Sequence, residues 1–380
     1  MNATLGPMTS FNKIKLGDAI IFQRGFDITK SEQTEGEIPI VSSSGISSFH
    51  NQWKTKGPGV VIGRKGTLGT VHYLKGNFWP HDTTLWVKDF KGNNRRFIYF
   101  FLQTLRLENF DTGSSNPTLN RNHIHKIKII FPKRNEQQKI AAILSAYDDL
   151  IENNQRRIAL LEKMAAEIYR EWFVRMRFPG HEKVKFVKGV PADWKQMLIG
   201  DLITRISPGK KYEQKTALES GEIPILDQGQ SGVIGYHNDE PGVFASPEKP
   251  VIVFANHTCY QHLIFFPFSA IQNVLPFIPS TTNKSNIFWL NMATNGIVEL
   301  NDYKGHWPAF VSKRIFYPNF ELTQLFGDIV APIFKQKFLI EKANEAIKES
   351  RDMLLPRLIS GKLSVEHLDI QFPPGMEKHP

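Results

Sequence analysis

The chain has a single cysteine, Cys259, among 380 residues, which excludes an intrachain disulfide framework and any multi-cysteine zinc ribbon. One thiol suits a reducing compartment, so a cytoplasmic protein is expected. Long apolar runs are scarce as well. The longest, Leu263 to Pro279, is broken by Pro267, Gln272, Asn273 and Pro276 and falls short of the roughly 20 apolar residues a membrane-spanning helix needs. From Met1 to Phe11 no basic stretch precedes an apolar core, and no secretory leader is expected. Acidic residues are in deficit, 37 against 47 Lys and Arg, for a formal net charge of +10. Such an excess attracts polyanions, and without a membrane segment it points to nucleic acid.

Catalytic signatures are also missing. Base methylation needs a glycine-rich cofactor loop with an Asn/Asp-Pro-Pro-aromatic or Pro-Cys element, and the one Pro-Pro pair, Pro373-Pro374, lies near the C-terminus. Gly63-Arg64-Lys65-Gly66-Thr67-Leu68-Gly69 lacks the Gly-Lys-Ser/Thr ending of a phosphate loop and sits between two β-type runs, so it reads as a hairpin turn. An acidic residue two before a lysine, common in metal-dependent nucleases, occurs at Asp89/Lys91, Asp193/Lys195, Glu213/Lys215 and Asp302/Lys304. Four unrelated matches show how cheap the pattern is. His257, Cys259 and His262 lack a fourth zinc ligand at finger-like spacing.

What is present is a duplication. Lys15-Leu16-Gly17-Asp18 is echoed by Leu198-Ile199-Gly200-Asp201, and Gly36-Glu37-Ile38-Pro39-Ile40 recurs as Gly221-Glu222-Ile223-Pro224-Ile225. His50-Asn51 matches His237-Asn238, Val60-Val61-Ile62 matches Val251-Ile252-Val253, and Phe131-Pro132 matches Tyr317-Pro318, in the same order. The offset of about 185 residues is too long for a solenoid repeat. With 41% hydrophobic residues the chain can fill two or three cores. Short β-type runs at Ile38–Val41, Gly59–Ile62 and Thr83–Val87, set off by Gly, Pro, Asn and Ser, make the start of each half a mixed-β domain.

Each half ends in a helical pattern. Asn135 with Gln138 predicts a capping box at the first helix start, and Pro179-Gly180 a stop. Leu144, Ile151, Ile158, Ala165 and Trp172 fall seven apart, with Tyr147, Asn154, Leu161 and Ile168 between them, an a/d heptad seam. In the second helix Phe326, Ile333, Ile340, Ile347 and Leu354 fall seven apart, with Ile329, Gln336, Ala343 and Ser350 between them. Gly361 closes that helix, and Pro356 is expected to kink its last turn. Two such seams on one chain satisfy each other as an antiparallel coiled coil, each helix on the order of 60 Å long. The fold class is therefore α+β: two similar mixed-β domains separated by two long heptad helices. The expected boundaries are 1–134 for the first recognition domain, 135–178 for the first spacer helix and 179–193 for a linker. The second domain then spans 194–319, the second helix 320–366 and a mobile tail 367–380.

Gly113-Ser114-Ser115-Asn116-Pro117-Thr118-Leu119-Asn120, Ile127 to Ile130, Phe131-Pro132 and the run from Asn135 through Gln137, Gln138 and Ile140 to Leu144 resemble the passage from target-recognition domain to spacer helix in Type I restriction-modification specificity subunits. Leu354 to Leu363 resembles the end of that family's second spacer, and the likeness extends from about Asn12 to Val365. In the second half, Tyr303 to Pro308 replaces the Gly-Ser loop, and Glu321 to Gln324 stands for Glu136 to Gln138. The resemblance implies that each β domain reads half of a split, asymmetric double-stranded DNA site while the helices bind two modification subunits. Restriction subunits complete the complex, and S-adenosylmethionine, ATP and Mg²⁺ belong to the partners, none to this chain. The alternative is a metal-dependent nuclease acting alone, and a plainer one a coiled-coil adaptor.

Base reading uses Arg or Lys for guanine, Asn or Gln for adenine, and Asp or Glu for the cytosine amino group. On that chemistry the expected DNA contacts of the first domain are Ser42, Ser43, Ser44, Arg64, Lys65, Thr67, His81, Asp82, Thr83, Thr84, Ser114, Ser115 and Asn116. Those of the second are Asp227, Gln228, Gln230, Asn256, His257, Thr258, Lys304 and His306. The pairs Arg95-Arg96 and Lys210-Lys211 suit phosphate. No catalytic or metal-binding residue is expected.

Overall fold

The computed structural model describes residues 11–110, 118–229, 232–299 and 305–372. It forms two compact units, Met1–Asn153 with Asn344–Pro380, and Asn154–Ala343. Each unit contains one β domain and one part of each long helix.

In the first unit, strand Phe11–Lys15 pairs antiparallel with Lys128–Pro132. A four-stranded sheet runs in the order Ile21–Arg24, Thr84–Asp89, Gly59–Gly63, Val71–Leu74, and a three-stranded one in the order Gly45–His50, Ile38–Ser42, Trp79–Pro80. The second unit repeats this. Lys195–Leu198 pairs with Arg314–Tyr317, and its large sheet runs Ile203–Arg205, Val274–Pro279, Val251–Ala255, Gln261–Ile264. Its other sheet runs Val233–His237, Ile223–Leu226, Ser269–Ile271, with one additional edge strand, Lys211–Tyr212. The duplicated motifs therefore fall on equivalent strands. The apolar runs seen at Val60 and Val251 are strands buried along their whole length, which explains why they show no alternation.

The long helices run Arg134–Tyr169 and Phe320–Ile359. The first starts before the expected cap Asn135, and it is Gln137 rather than Gln138 that anchors it. The buried Gln137 amide accepts the Asn94 N–H at 3.1 Å and donates to Asn93 Oδ1 and to the Pro132 carbonyl. In the second helix Thr323 does the same work, its hydroxyl accepting the Asn286 N–H at 3.1 Å. Asn94 and Asn286 in turn cap the short helices Arg95–Gln103 and Ile287–Thr294. A buried polar joint thus ties each domain to the first turn of its long helix, a site where an unpaired amide would be costly.

The first helix ends in a widened turn, Arg170–Val174, and the chain reverses at Met176, whose φ is +58°. That is short of the expected stop at residue 178. The second helix continues through Pro356 to Ile359 and closes at Gly361, φ +73°, short of 366. Residues 179–193 are not an open linker. They fold into a turn at His181–Lys183 and a hairpin, Phe186–Val187 with Val190–Pro191, beside stacked Phe178 and Trp194. The tail from residue 373 lies outside the described residues.

Packing is antiparallel within each unit: Asp148 meets Arg351 in the first, and Glu162 meets Lys337 in the second, where Trp172 meets Phe326. Leu144, Asn154, Ala165 and Trp172 are buried, and Tyr147, Ile151, Ile158, Leu161 and Ile168 half-buried. In the second helix Phe326 and Ile340 are buried and Ile333, Ile347 and Leu354 half-buried, but the interleaved positions lie one residue later than expected. Ile329, Gln336 and Ala343 are exposed, while Val330, Lys337, Asn344, Arg351 and Leu358 turn inward. Ser350 is half-buried, with its hydroxyl donated to the Ala346 carbonyl of its own helix. Both spacings satisfy a heptad, and the charged side chains choose. Lys337 binds Glu162 at 2.7 Å and Arg351 binds Asp148 at 2.6 Å, and their alkyl stems cover apolar neighbours.

His125 carries a pH dependence. Its Nε2 accepts the Phe22 N–H at 3.0 Å, which requires a neutral ring nitrogen. Burial first, then the charges of Arg121 and Lys91, push its pKa below 6.5. A folded value below the unfolded one gives stability that is full above the unfolded pKa and is lost as pH falls from there toward the folded value. The first unit is expected to melt at lower temperature at about pH 5 than at about pH 7 by scanning calorimetry. His125→Gln, whose amide oxygen can accept the same N–H, should flatten that slope.

Candidate nucleic-acid interface

In each β domain the residues singled out from sequence converge. In the first, the Thr83 carbonyl accepts three donors: the Arg64 N–H at 2.8 Å, the Lys65 N–H at 3.0 Å and the Ser43 hydroxyl at 2.6 Å. The Arg64 guanidinium donates to the Asp82 carbonyl at 3.2 Å, and His81 N–H to the Val41 carbonyl at 2.9 Å. The turn after the central strand, the end of strand Ile38–Ser42 and the turn before Thr84–Asp89 are therefore bolted together. Lys65, Thr67 and Ser44 project from this platform into solvent, with Ser42 half-buried beside Ser44.

The second domain builds the same platform from other residues. The Gln228 side chain accepts the His257 N–H at 2.9 Å, its carbonyl accepts the Thr258 hydroxyl at 2.5 Å, and Asp227 accepts the Gly229 N–H. Asn256 donates its N–H to the Asn273 carbonyl at 2.8 Å, as Arg64 does to Thr83. The following loops are tied alike: Leu119 N–H donates to the Arg64 carbonyl at 3.0 Å, and His306 N–H to the Asn256 carbonyl at 2.9 Å. Gly305 lies close there: a Cβ would sit 2.7 Å from the Asn256 amide nitrogen and would force that side chain to shift.

Some expected contacts are structural. Ser43, Thr84 and His306 are buried, and the Thr84 hydroxyl is spent on the His81 carbonyl. The Asn256 side chain accepts the Trp307 N–H at 2.8 Å. Arg96, expected at phosphate, is held by Asp148 at 3.1 Å and lies over Tyr73 at 4.6 Å. Arg95 donates to the Pro58 carbonyl, and Lys210 is paired with Asp239 at 2.9 Å. Ser114, Ser115, Asn116, Gln230 and Lys304 lie outside the described residues.

Sequence reasoning missed Arg24. Its guanidinium binds Asp82 at 2.7 Å yet remains 56% exposed on the platform. Burial raises the Asp82 carboxyl, but the Arg24 hydrogen bond and the charges of His81, Arg24 and Lys65 outweigh it and hold the carboxyl below its ordinary value. Nothing in the sequence couples residues 24 and 82; only the pairing of strand Ile21–Arg24 with Thr84–Asp89 does.

Among the described residues, Asp27, His81 and Asp82 bring possible metal-ligand atoms within 4.8 Å. Asp82 is already neutralised there by Arg24, and the trio includes none of the acidic–lysine pairs. Asp89 and Lys91 form a local turn, with Lys91 Nζ on the Gly17 carbonyl. His262 Nε2 is buried without a partner, and His257, Cys259 and His262 are not among the side chains whose ligand atoms converge. No helix among the described residues is long and apolar enough to cross a membrane.

Residues 8–163 match the family described as the Type I restriction modification DNA specificity domain. Over that span the chain is similar to the Type I specificity subunits. It is 26% identical over 301 residues to the Type I restriction enzyme MjaIX specificity subunit of Methanocaldococcus jannaschii, covering 72% of this chain and 70% of that one. It is also 26% identical over 137 residues to the EcoR124I/EcoR124II specificity subunit of Escherichia coli, covering 34% and 33%. The crystal structure of a Type I restriction-modification S subunit from M. genitalium aligns with a TM-score of 0.63 at 18% identity, covering 94% of this chain and 98% of that one. That likeness is one of fold. The family match ends in the first long helix; the second unit repeats the strand order of the first.

Proposed function

We propose that the chain is a non-catalytic subunit that reads a bipartite, asymmetric DNA sequence through its two β domains. One observation carries this reading: the two platforms share their backbone ties but not their side chains. Arg64 and Lys65 stand where the second domain has Asn256 and His257. With Arg64 spent on the Asp82 carbonyl and Asn256 on the Trp307 N–H, the difference lies between the Lys65 ammonium, which suits guanine, and the His257 imidazole, which suits other base edges, so equivalent platforms read different half-sites. The surplus of positive charge supports phosphate contacts. The long helices hold two modification subunits and, through them, restriction subunits. S-adenosylmethionine, ATP and Mg²⁺ act on those partners, and the complex works in the cytoplasm. The recognition domains occupy 1–134 and 194–319.

Reconstitution with the modification subunits and S-adenosylmethionine, followed by long-read mapping of adenine methylation, tests the proposal. The expected product is one asymmetric motif split by a fixed gap. Lys65 is exposed and its side chain makes no hydrogen bond among the described residues. Lys65→Ala should relax one position in one half-site and leave the other half unchanged, costing about 1–3 kcal/mol of discrimination there. A stable complex that methylates nothing overturns the proposal, as does Mg²⁺-dependent cleavage by the chain alone.

A further inference from the structure

The two β domains superimpose their turns by hydrogen bonding, and that equivalence locates a base-reading residue in the second domain that its sequence does not announce. In the first domain Trp79 pairs in parallel with Ile40, and three residues later comes Asp82, on the turn whose Thr83 carbonyl accepts the Arg64 N–H. In the second, Ser269 pairs in parallel with Ile225, and three residues later comes Gln272, on the turn whose Asn273 carbonyl accepts the Asn256 N–H. Ile40 and Ile225 both end the repeated Gly-Glu-Ile-Pro-Ile motif. Gln272 therefore occupies the place of Asp82.

The chemistry at that place differs. Asp82 is mostly buried and spends its carboxylate holding Arg24, whose guanidinium faces solvent. Gln272 is exposed, and its carboxamide makes no hydrogen bond among the described residues. Asn273 beside it has φ +72°, a left-handed conformation that asparagine tolerates better than most residues, and this sharpens the turn. The turn borders an open cleft of about 490 Å³, with Ser207, Arg205 and Lys211 also on its walls. Arg205, which lies over the Trp307 ring at 5.9 Å, and Lys211 place cationic side chains around a neutral amide, which fits a DNA groove, the cations at phosphates and the amide at a base edge.

Resting on the reading of the chain as a specificity subunit, we propose that Gln272 is a specificity-determining residue of the second domain, its carboxamide paired with the N6 and N7 edge of an adenine. Arg24, steadied by Asp82, takes the corresponding place in the first domain with guanine chemistry. A glutamine amide offers one acceptor and one donor in the geometry adenine presents in the major groove.

The test uses the full chain reconstituted with its modification subunits, comparing wild type, Gln272→Ala and Gln272→Glu by methylation mapping. Gln272→Ala is expected to make one adenine-specified position in one half-site degenerate, with discrimination there falling about tenfold, while the gap and the other half-site stay as they were. Gln272→Glu, which can only accept, should shift the preference at that same position away from adenine. An unchanged motif in both variants overturns the inference and leaves the specificity-subunit reading intact. Loss of all methylation in both variants overturns it too, by making the turn structural. A wild-type complex with no motif at all removes the reading on which it rests.

Discussion

Phe326→Ala is expected to destabilise the second unit by about 4 kcal/mol, the range for deleting a fully buried aromatic ring. Phe326 has no exposed surface and lies edge-on to Phe173 at 5.2 Å, Trp172 at 5.8 Å and Tyr169 at 5.9 Å between ring centres. It is the point at which the second long helix, the widened end of the first and the β domain share one core, which also contains Trp194, Trp289 and Phe310. These bulky rings surround the site from several elements and cannot collapse into the space it leaves, so the cavity persists and its cost adds to the lost burial. Scanning calorimetry of the full chain checks this. Phe326→Leu should lose clearly less, and equal losses would mean that ring stacking, rather than volume, dominates.

Asp148→Ala should cost the first unit about 3 kcal/mol, for an electrostatic reason. Asp148 is only 15% exposed and receives Arg351 at 2.6 Å and Arg96 at 3.1 Å. Arg96 belongs to the β domain's short helix and Arg351 to the second long helix, so one carboxylate joins three elements within the unit. Its removal leaves two partly buried guanidinium groups with only their more exposed partners, Asp149 at 3.8 Å from Arg96 and Asp352 at 2.7 Å from Arg351. The triple change Asp148→Leu, Arg96→Met, Arg351→Met removes all three charges and should recover most of the loss. If the triple variant is no more stable than Asp148→Ala, the loss comes from packing and not from stranded charge.

The seam shows where a sequence pattern stops being decisive. In the first helix the apolar residues choose the inward face unaided, and Leu144, Ile151, Ile158 and Trp172 lie where the heptad puts them. In the second, apolar Ile329 and small Ala343 draw the pattern one residue from its true course, because Lys337 and Arg351 look like surface residues until their partners are known. The platforms show the same division. Ser43, Arg64 and Thr83 are legible as turn residues, but their meeting at one carbonyl is not. Arg96 is legible as a phosphate contact and turns out to be an internal counter-ion.

The sequence by itself determined the duplication, the strand-rich halves, the two long helices and the turns that carry the candidate contact residues, because repeats and local periodicity depend on residues near one another in the chain. Only the tertiary structure decided the inward face of the second helix, the Asp148 charge cluster, the Arg24–Asp82 pair and the equivalence of Gln272 with Asp82. Each of these joins residues tens to hundreds of positions apart. In such places the free energy of a polar group depends on the partner that replaces its water, and no local pattern records which partner that is.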